Sequence, residues 1–239
     1  MDTIDPFKPH LPAPTTARPL LGLTVLAVED SRFACEALRL LCLRSGARIR
    51  RADSLRAARR HLRVYRPTVV IIDLGLPDGN GVDLIQGLST AAPRPEVILG
   101  TSGDNFGQAE AMAAGEDGFI EKPITSLGLF QSKILSLLPA ERRPDGPRTV
   151  SMEEVYPDPI ALQDDLAHVA DVLEDREDDR TLDYVAQFLS GVARSAKDGP
   201  LQKAAEALAQ KRAAGQPAMS EAAILAGLVQ DRLNQRVAI

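Results

Sequence analysis

The chain has 239 residues, 44% of them hydrophobic and 26% charged, with 28 basic and 33 acidic side chains, the make-up of a soluble globular protein of one large or two ordinary domains. Residues 140–239 hold 18 acidic and 12 basic side chains against 15 and 16 in residues 1–139, which argues against nucleic acid as the partner of the second part. No apolar run approaches the roughly 20 residues of a membrane helix, and the N-terminus lacks a secretory pattern. Cys35 and Cys42 share a helical segment and read as reduced core residues of a cytoplasmic protein.

Residues 1–20 carry Pro6, Pro9, Pro12, Pro14 and Pro19 with few large apolar groups, the composition of an extended arm. Leu23 to Val28 is an apolar run that ends in Glu29 and Asp30. Ser31 then caps a helix with Phe33, Ala37, Leu40 and Leu41 at helical spacing, closed by Ser45-Gly46. Arg48-Ile49-Arg50 reads as a polar edge strand, and Ser54 starts a second helix that ends by Pro67. Thr68-Val69-Val70-Ile71-Ile72 runs apolar without alternation, as a strand buried on both faces does. It stops at Asp73, before a turn-rich Gly75-Leu-Pro-Asp-Gly-Asn-Gly81. A helix over 82–90, a strand Val97–Gly100 ending in Thr101, a helix near 108–114, a strand Gly118–Glu121 ending at Lys122-Pro123, and a helix over 126–138 complete five strand–helix alternations. That pattern predicts a parallel sheet covered on both faces.

Residues 140–158, with the adjoining Pro139 and Pro159, are rich in Pro, Arg and Asp and read as a linker or a loosely packed connection. Four amphipathic stripes follow in 159–239, through Ile160/Leu166/Val169/Leu173, Leu182/Val185/Leu189/Val192, Leu201/Ala205/Leu208 and Ile224/Leu225/Leu228/Val229. They predict an all-α helical bundle.

Ligands of an open parallel sheet gather at the strands' carboxyl ends, where this chain brings Glu29, Asp30, Asp73, Thr101 and Lys122. Three acids at one edge repel, which implies a hard cation with oxygen ligands, most naturally Mg²⁺. Such an edge suits phosphoryl transfer to a carboxylate. The cationic Lys122 and the hydroxyl of Thr101 would take the developing charge.

These stretches, Val-Leu-Ala-Val-Glu29-Asp30-Ser, Val-Val-Ile-Ile-Asp73-Leu-Gly-Leu-Pro77-Asp-Gly-Asn-Gly81, Leu-Gly-Thr101-Ser-Gly and Phe119-Ile-Glu-Lys122-Pro123, resemble the receiver domain of two-component response regulators over residues 21–139. The resemblance implies a flavodoxin-like, doubly wound five-stranded parallel sheet of order 2-1-3-4-5. It implies Asp73 as phosphoacceptor, with Glu29, Asp30, Asp73 and the Gly75 carbonyl as Mg²⁺ ligands. Thr101 and Lys122 would bind the phosphoryl oxygens, Thr101 and Phe119 would form the switch, and Lys122-Pro123 would be cis. Gly75 and Gly103 leave no side chain two residues past Asp73 and Thr101, positions that tune hydrolysis of the acyl phosphate in this family.

Gln187-Phe-Leu-Ser-Gly191 and Leu201 to Leu208 resemble, more weakly, the second and third helices of a histidine phosphotransfer domain. Gln187 stands in place of the acceptor histidine and Ser190 in place of a lysine. The resemblance implies a bundle that keeps a docking surface but no phosphotransfer, and a generic dimerisation bundle is the other reading. Gln187 is expected to face solvent, and His168, among Asp164, Asp165 and Asp171, to be a flank residue. The acidic run 174–179 is a candidate to dock on the arginines between Arg48 and Arg66.

The resemblance thus implies a phosphorelay response regulator, and no separate catalytic output is expected. Its partners would be a histidine kinase or a histidine phosphotransfer protein and a downstream protein target, without nucleic acid or membrane, and a homodimer is open. A phosphorylation-independent adaptor is the alternative.

Overall fold

The run Val69–Asp73 is buried from end to end and lies at the centre of a five-stranded parallel sheet. The computed structural model describes residues 13–103, 107–174 and 179–235. Its sheet strands are β1 (Thr24–Val28), β2 (Arg48–Ala52), β3 (Val69–Asp73), β4 (Val97–Ser102) and β5 (Gly118–Glu121). Their order is β2-β1-β3-β4-β5 with every pairing parallel, the order expected. Between β3 and the following helix, Gly75–Leu76 and Gly79–Asn80 pair as a short antiparallel hairpin.

Alternate strand residues feed opposite faces, as the two-residue period of a strand demands. Val25, Ala27, Val69, Ile71, Val97 and Leu99 pack under α1 (Arg32–Ser45) and α5 (Leu127–Leu137). Leu26, Val28, Val70, Ile72 and Ile98 pack under α2 (Leu55–Val64), α3 (Gly81–Ser89) and α4 (Gly107–Ala113). Ser31, Ser54, Asn80 and Ser126 cap α1, α2, α3 and α5 through side-chain oxygens, each worth about 1 kcal/mol. Gly46 closes α1 with φ +84° and donates its N–H to the Cys42 and Leu43 carbonyls, a left-handed cap that a residue with a Cβ adopts only at a cost.

Two details sharpen the expectations here. The connection over 140–158 is mostly exposed but pinned to the α/β unit at several points. Val155 is fully buried in the core under α1 and α5, and Glu154 bridges Ser126 as a short antiparallel pair. The Leu127 N–H donates to the Glu153 carbonyl and the Val155 N–H to that of Thr125. Arg148 bonds Gln131 and Ser132, and Arg44 pairs with Glu153. A single apolar anchor and backbone hydrogen bonds leave no periodic trace in a Pro-rich stretch. At the other end, Leu20 is also fully buried, so packing starts before residue 21; of the arm expected over 1–20, residues 1–12 lie outside the described residues.

The second part is helical: α6 (Pro159–Glu174), α7 (Asp179–Ser195), α8 (Gly199–Ala213) and α9 (Met219–Asn234). Leu166, Val169, Val185, Leu189, Leu201, Leu208, Leu225 and Val229 form their common core. Ile160 and Ile224, assigned to stripes by spacing, are instead 64% and 59% exposed. These helices dock on the α/β unit through α6 and α7, which pack against α1. Residues 175–178 of the acidic run lie outside the described residues. The arginines from Arg48 to Arg66 are solvent-exposed.

Candidate active site at the carboxyl edge of the sheet

Each strand ends where the apolar run stops, so the first polar residue after the core projects from the carboxyl edge. Glu29 and Asp30 follow β1, Asp73 ends β3, Thr101 sits opposite it in the register of β4, and Lys122 follows β5. Glu29, Asp30 and Asp73 place carboxylate oxygens within 4.8 Å of one another. The Lys122 ammonium reaches Glu29 Oε2 at 2.7 Å and Asp73 Oδ2 at 3.0 Å. Glu29, Asp73, Thr101 and Lys122 are all buried, and Lys122-Pro123 is cis as expected.

The electrostatics follow from that burial. Desolvation holds the Glu29 carboxyl well above the usual carboxylate range; Lys122 opposes the shift, and Asp73 and Asp30 add to it. Asp30 is raised by burial and by Asp73. Burial alone would lower Lys122, but the Asp73 and Glu29 carboxylates outweigh it and keep it cationic. Fully ionised, three acids against one ammonium would make the pocket net negative, and that repulsion contributes to the raised Glu29 and Asp30.

That donor set fits a hard divalent cation: three carboxylates converge, and Gly75 lines the same cavity. Thr101 Oγ1 is buried without a hydrogen-bond partner among the described residues. A buried hydroxyl in that state has donor capacity left for an incoming oxygen. Phe119 is buried against Gly100 on the face beneath α4.

The structure adds residues that strand-end reasoning did not find. The Tyr184 hydroxyl of α7 donates to Asp30 Oδ2 at 2.7 Å. Asp165 of α6 accepts from the Ser31 hydroxyl at 2.7 Å, the Arg32 N–H at 2.7 Å and the Phe33 N–H at 3.1 Å, so it caps the first turn of α1 from another element. Neither residue carries a periodic or motif signal. Gln187 is exposed as expected, but it faces the cavity over Gly75 rather than open solvent. α7 and α8, the helices compared with a phosphotransfer domain, are both present, and α7 crosses the mouth of the site. His168 is exposed beside the Phe188 ring, as a flank residue should be.

Residues 25–132 match the family model described as "Response regulator receiver domain". The KDP operon transcriptional regulatory protein KdpE of Escherichia coli (strain K12) is 30% identical over 110 residues, 46% of this chain and 48% of that protein. The virulence transcriptional regulatory protein PhoP of Salmonella typhimurium (strain 14028s / SGSC 2262) is 29% identical over 102 residues, 42% of this chain and 46% of that protein. The chain thus spans about half the length of the curated relatives it matches. A putative response regulator from Chloroflexus aurantiacus J-10-fl covers 48% of this chain and 96% of its own at 24% identity, with a TM-score of 0.45.

Proposed function

Residues 25–132 are a response regulator receiver domain, and from that premise we propose that the chain accepts a phosphoryl group on Asp73 and signals through its helical second part. The observation that carries the reading is the Lys122 ammonium shared between Asp73 and Glu29 beside Asp30. An Asp73 oxygen attacks the phosphorus of a phosphohistidine on a kinase or phosphotransfer protein. The P–N bond breaks, and its electron pair leaves with the imidazole. Mg²⁺, held by Glu29, Asp30, Asp73 and the Gly75 carbonyl, would neutralise charge on the phosphoryl oxygens. Lys122 moves from bridging two carboxylates to pairing with a phosphoryl oxygen, and the unpartnered Thr101 hydroxyl donates to another. Thr101 and Phe119 then bias the surface around β4, α4 and β5.

The output we propose is protein–protein and not DNA-directed. The second part is acidic, and the alignment to the two transcriptional regulators covers less than half of each. We propose no separate catalytic output for this role. A phosphorylation-independent adaptor is the second reading, favoured by α7 lying across the site with Tyr184 on Asp30. Incubation with acetyl phosphate and Mg²⁺, followed by intact-mass measurement, separates the two. One added phosphoryl group, lost in Asp73→Asn and on chelation of Mg²⁺, supports the phosphoacceptor; an unchanged mass supports the adaptor.

A further inference from the structure

We propose that Gln187 positions the water that hydrolyses the acyl phosphate of Asp73, so that the chain carries in α7 a residue that sets the lifetime of its own signal. The inference rests on Asp73 being the phosphoacceptor and goes beyond it.

Gln187 and Asp73 line one cavity of about 580 Å³ between the strand ends and α7. A Cβ built on Gly75, two residues past Asp73, would overlap the Gln187 carboxamide, lying 2.6 Å from Cδ and 3.0 Å from Oε1. The carboxamide therefore stands where a side chain of the acceptor loop would otherwise be. One turn along α7, the Gly191 Cα lies 3.5 Å from a Cβ built on Gly103. Gly75 thus leaves the Gln187 carboxamide its space, while at Gly103 a Cβ would touch α7 only at ordinary contact distance. That turn of α7 is fixed in place: Tyr184 bonds Asp30, and the neighbouring Asp165 caps α1. Its Gln187 head group, by contrast, has no hydrogen-bond partner among the described residues and is open to the cavity.

An unpartnered carboxamide carried on a fixed helical turn beside a phosphoryl site offers one acceptor and two donors to a water molecule. It takes no proton at neutral pH, so its work is orientation, the role a glutamine plays for the attacking water in some GTPases. The water oxygen attacks phosphorus in line with the Asp73 Oδ–P bond. That bond breaks with its electron pair passing to the carboxylate, and a water proton passes to the released phosphate or to solvent. The products are the Asp73 carboxylate and inorganic phosphate.

The test charges the full chain with acetyl phosphate and Mg²⁺, removes the donor, and follows loss of the phosphoryl mass. Gln187→Ala and the near-isosteric Gln187→Met should each lengthen the lifetime about 10-fold or more, since misplacement of a reacting group costs up to about 100-fold. Gln187→Met keeps the packing and removes the hydrogen bonding, so it carries the test if Gln187→Ala unfolds. A lifetime that is unchanged in both variants, or shortened, overturns the proposal, as does Gln187→Met behaving like the wild type. A wild-type chain that gains no phosphoryl mass removes the underlying reading, and the proposal falls with it.

Discussion

Asp164 and Asp165 are sequence neighbours with different surroundings, and their separate substitution measures what holds the helices on the receiver. Asp165 is 2% exposed and accepts three hydrogen bonds from the first turn of α1. Asp164 makes one ion pair with Arg32 at 2.7 Å, with both side chains largely in water. Asp165→Ala strands the Phe33 N–H and the Ser31 hydroxyl in a buried place and removes a cap. At roughly 1–3 kcal/mol per stranded donor, softened by water reaching the part-buried Arg32 N–H, docking weakens by about 2–4 kcal/mol. That is about 30-fold to several hundred-fold in the docking equilibrium. Asp164→Ala should cost no more than about 0.5 kcal/mol. Hydrogen exchange reads the difference: Asp165→Ala should raise exchange in the first turn of α1 and across α7 without unfolding β3. Equal effects from the two variants would refute the assignment of docking to the buried cap.

Three further outcomes follow from the same geometry. Tyr184→Phe frees Asp30 from a competing donor, and a hydrogen bond to a charged group is worth roughly 1.5–3 kcal/mol; calorimetric Mg²⁺ affinity should rise about 10-fold, and an unchanged affinity would remove Tyr184 from competition at the site. Asp198 caps α8 and pairs with Arg232, whose hydrogen bonds hold its carboxyl below the ordinary value of 3.8. Because the folded value is the lower one, its stabilisation is present above 3.8 and is lost as pH falls through the folded value. Asp198→Asn should therefore lower bundle stability at neutral pH, and the gap to wild type should close in acid; a pH-independent gap in urea titrations would contradict the ion pair. Burial pushes the Cys35 and Cys42 thiols up to about 12, so iodoacetamide at neutral pH should leave both unmodified until the chain is unfolded, and rapid native labelling of either would refute its burial.

The strand-end chemistry was legible because the fold puts it where apolar runs stop. Asp73 ends a run with no polar break, and Lys122 precedes a proline, so both edges were marked in the sequence. Gly75 and Gly103 were visible as missing side chains, but the reason they are missing was not. The space beside Gly75 is filled by the carboxamide of Gln187, and Gly103 faces Gly191 at contact distance, residues more than 80 positions away. Docking by Asp165 and Tyr184 depends on single hydrogen bonds between elements, which impose no period on the chain. The anchoring of the stretch after Pro139 was hidden for a related reason. Its composition is that of a loop, and the one residue that anchors it, Val155, is an isolated apolar side chain. Ile160 and Ile224 fell on apolar stripes by spacing but lie at helix positions that no neighbour covers.

The most direct test of the account is where the phosphoryl group goes. The chain is charged with acetyl phosphate and Mg²⁺, reduced with borohydride, which converts an acyl phosphate to the alcohol, and digested for peptide mass spectrometry. The account predicts homoserine at position 73 alone, absent from Asp73→Asn and absent when Mg²⁺ is chelated. Reduction at Glu29 or Asp30 instead, or no reduced residue in a charged sample, would contradict it.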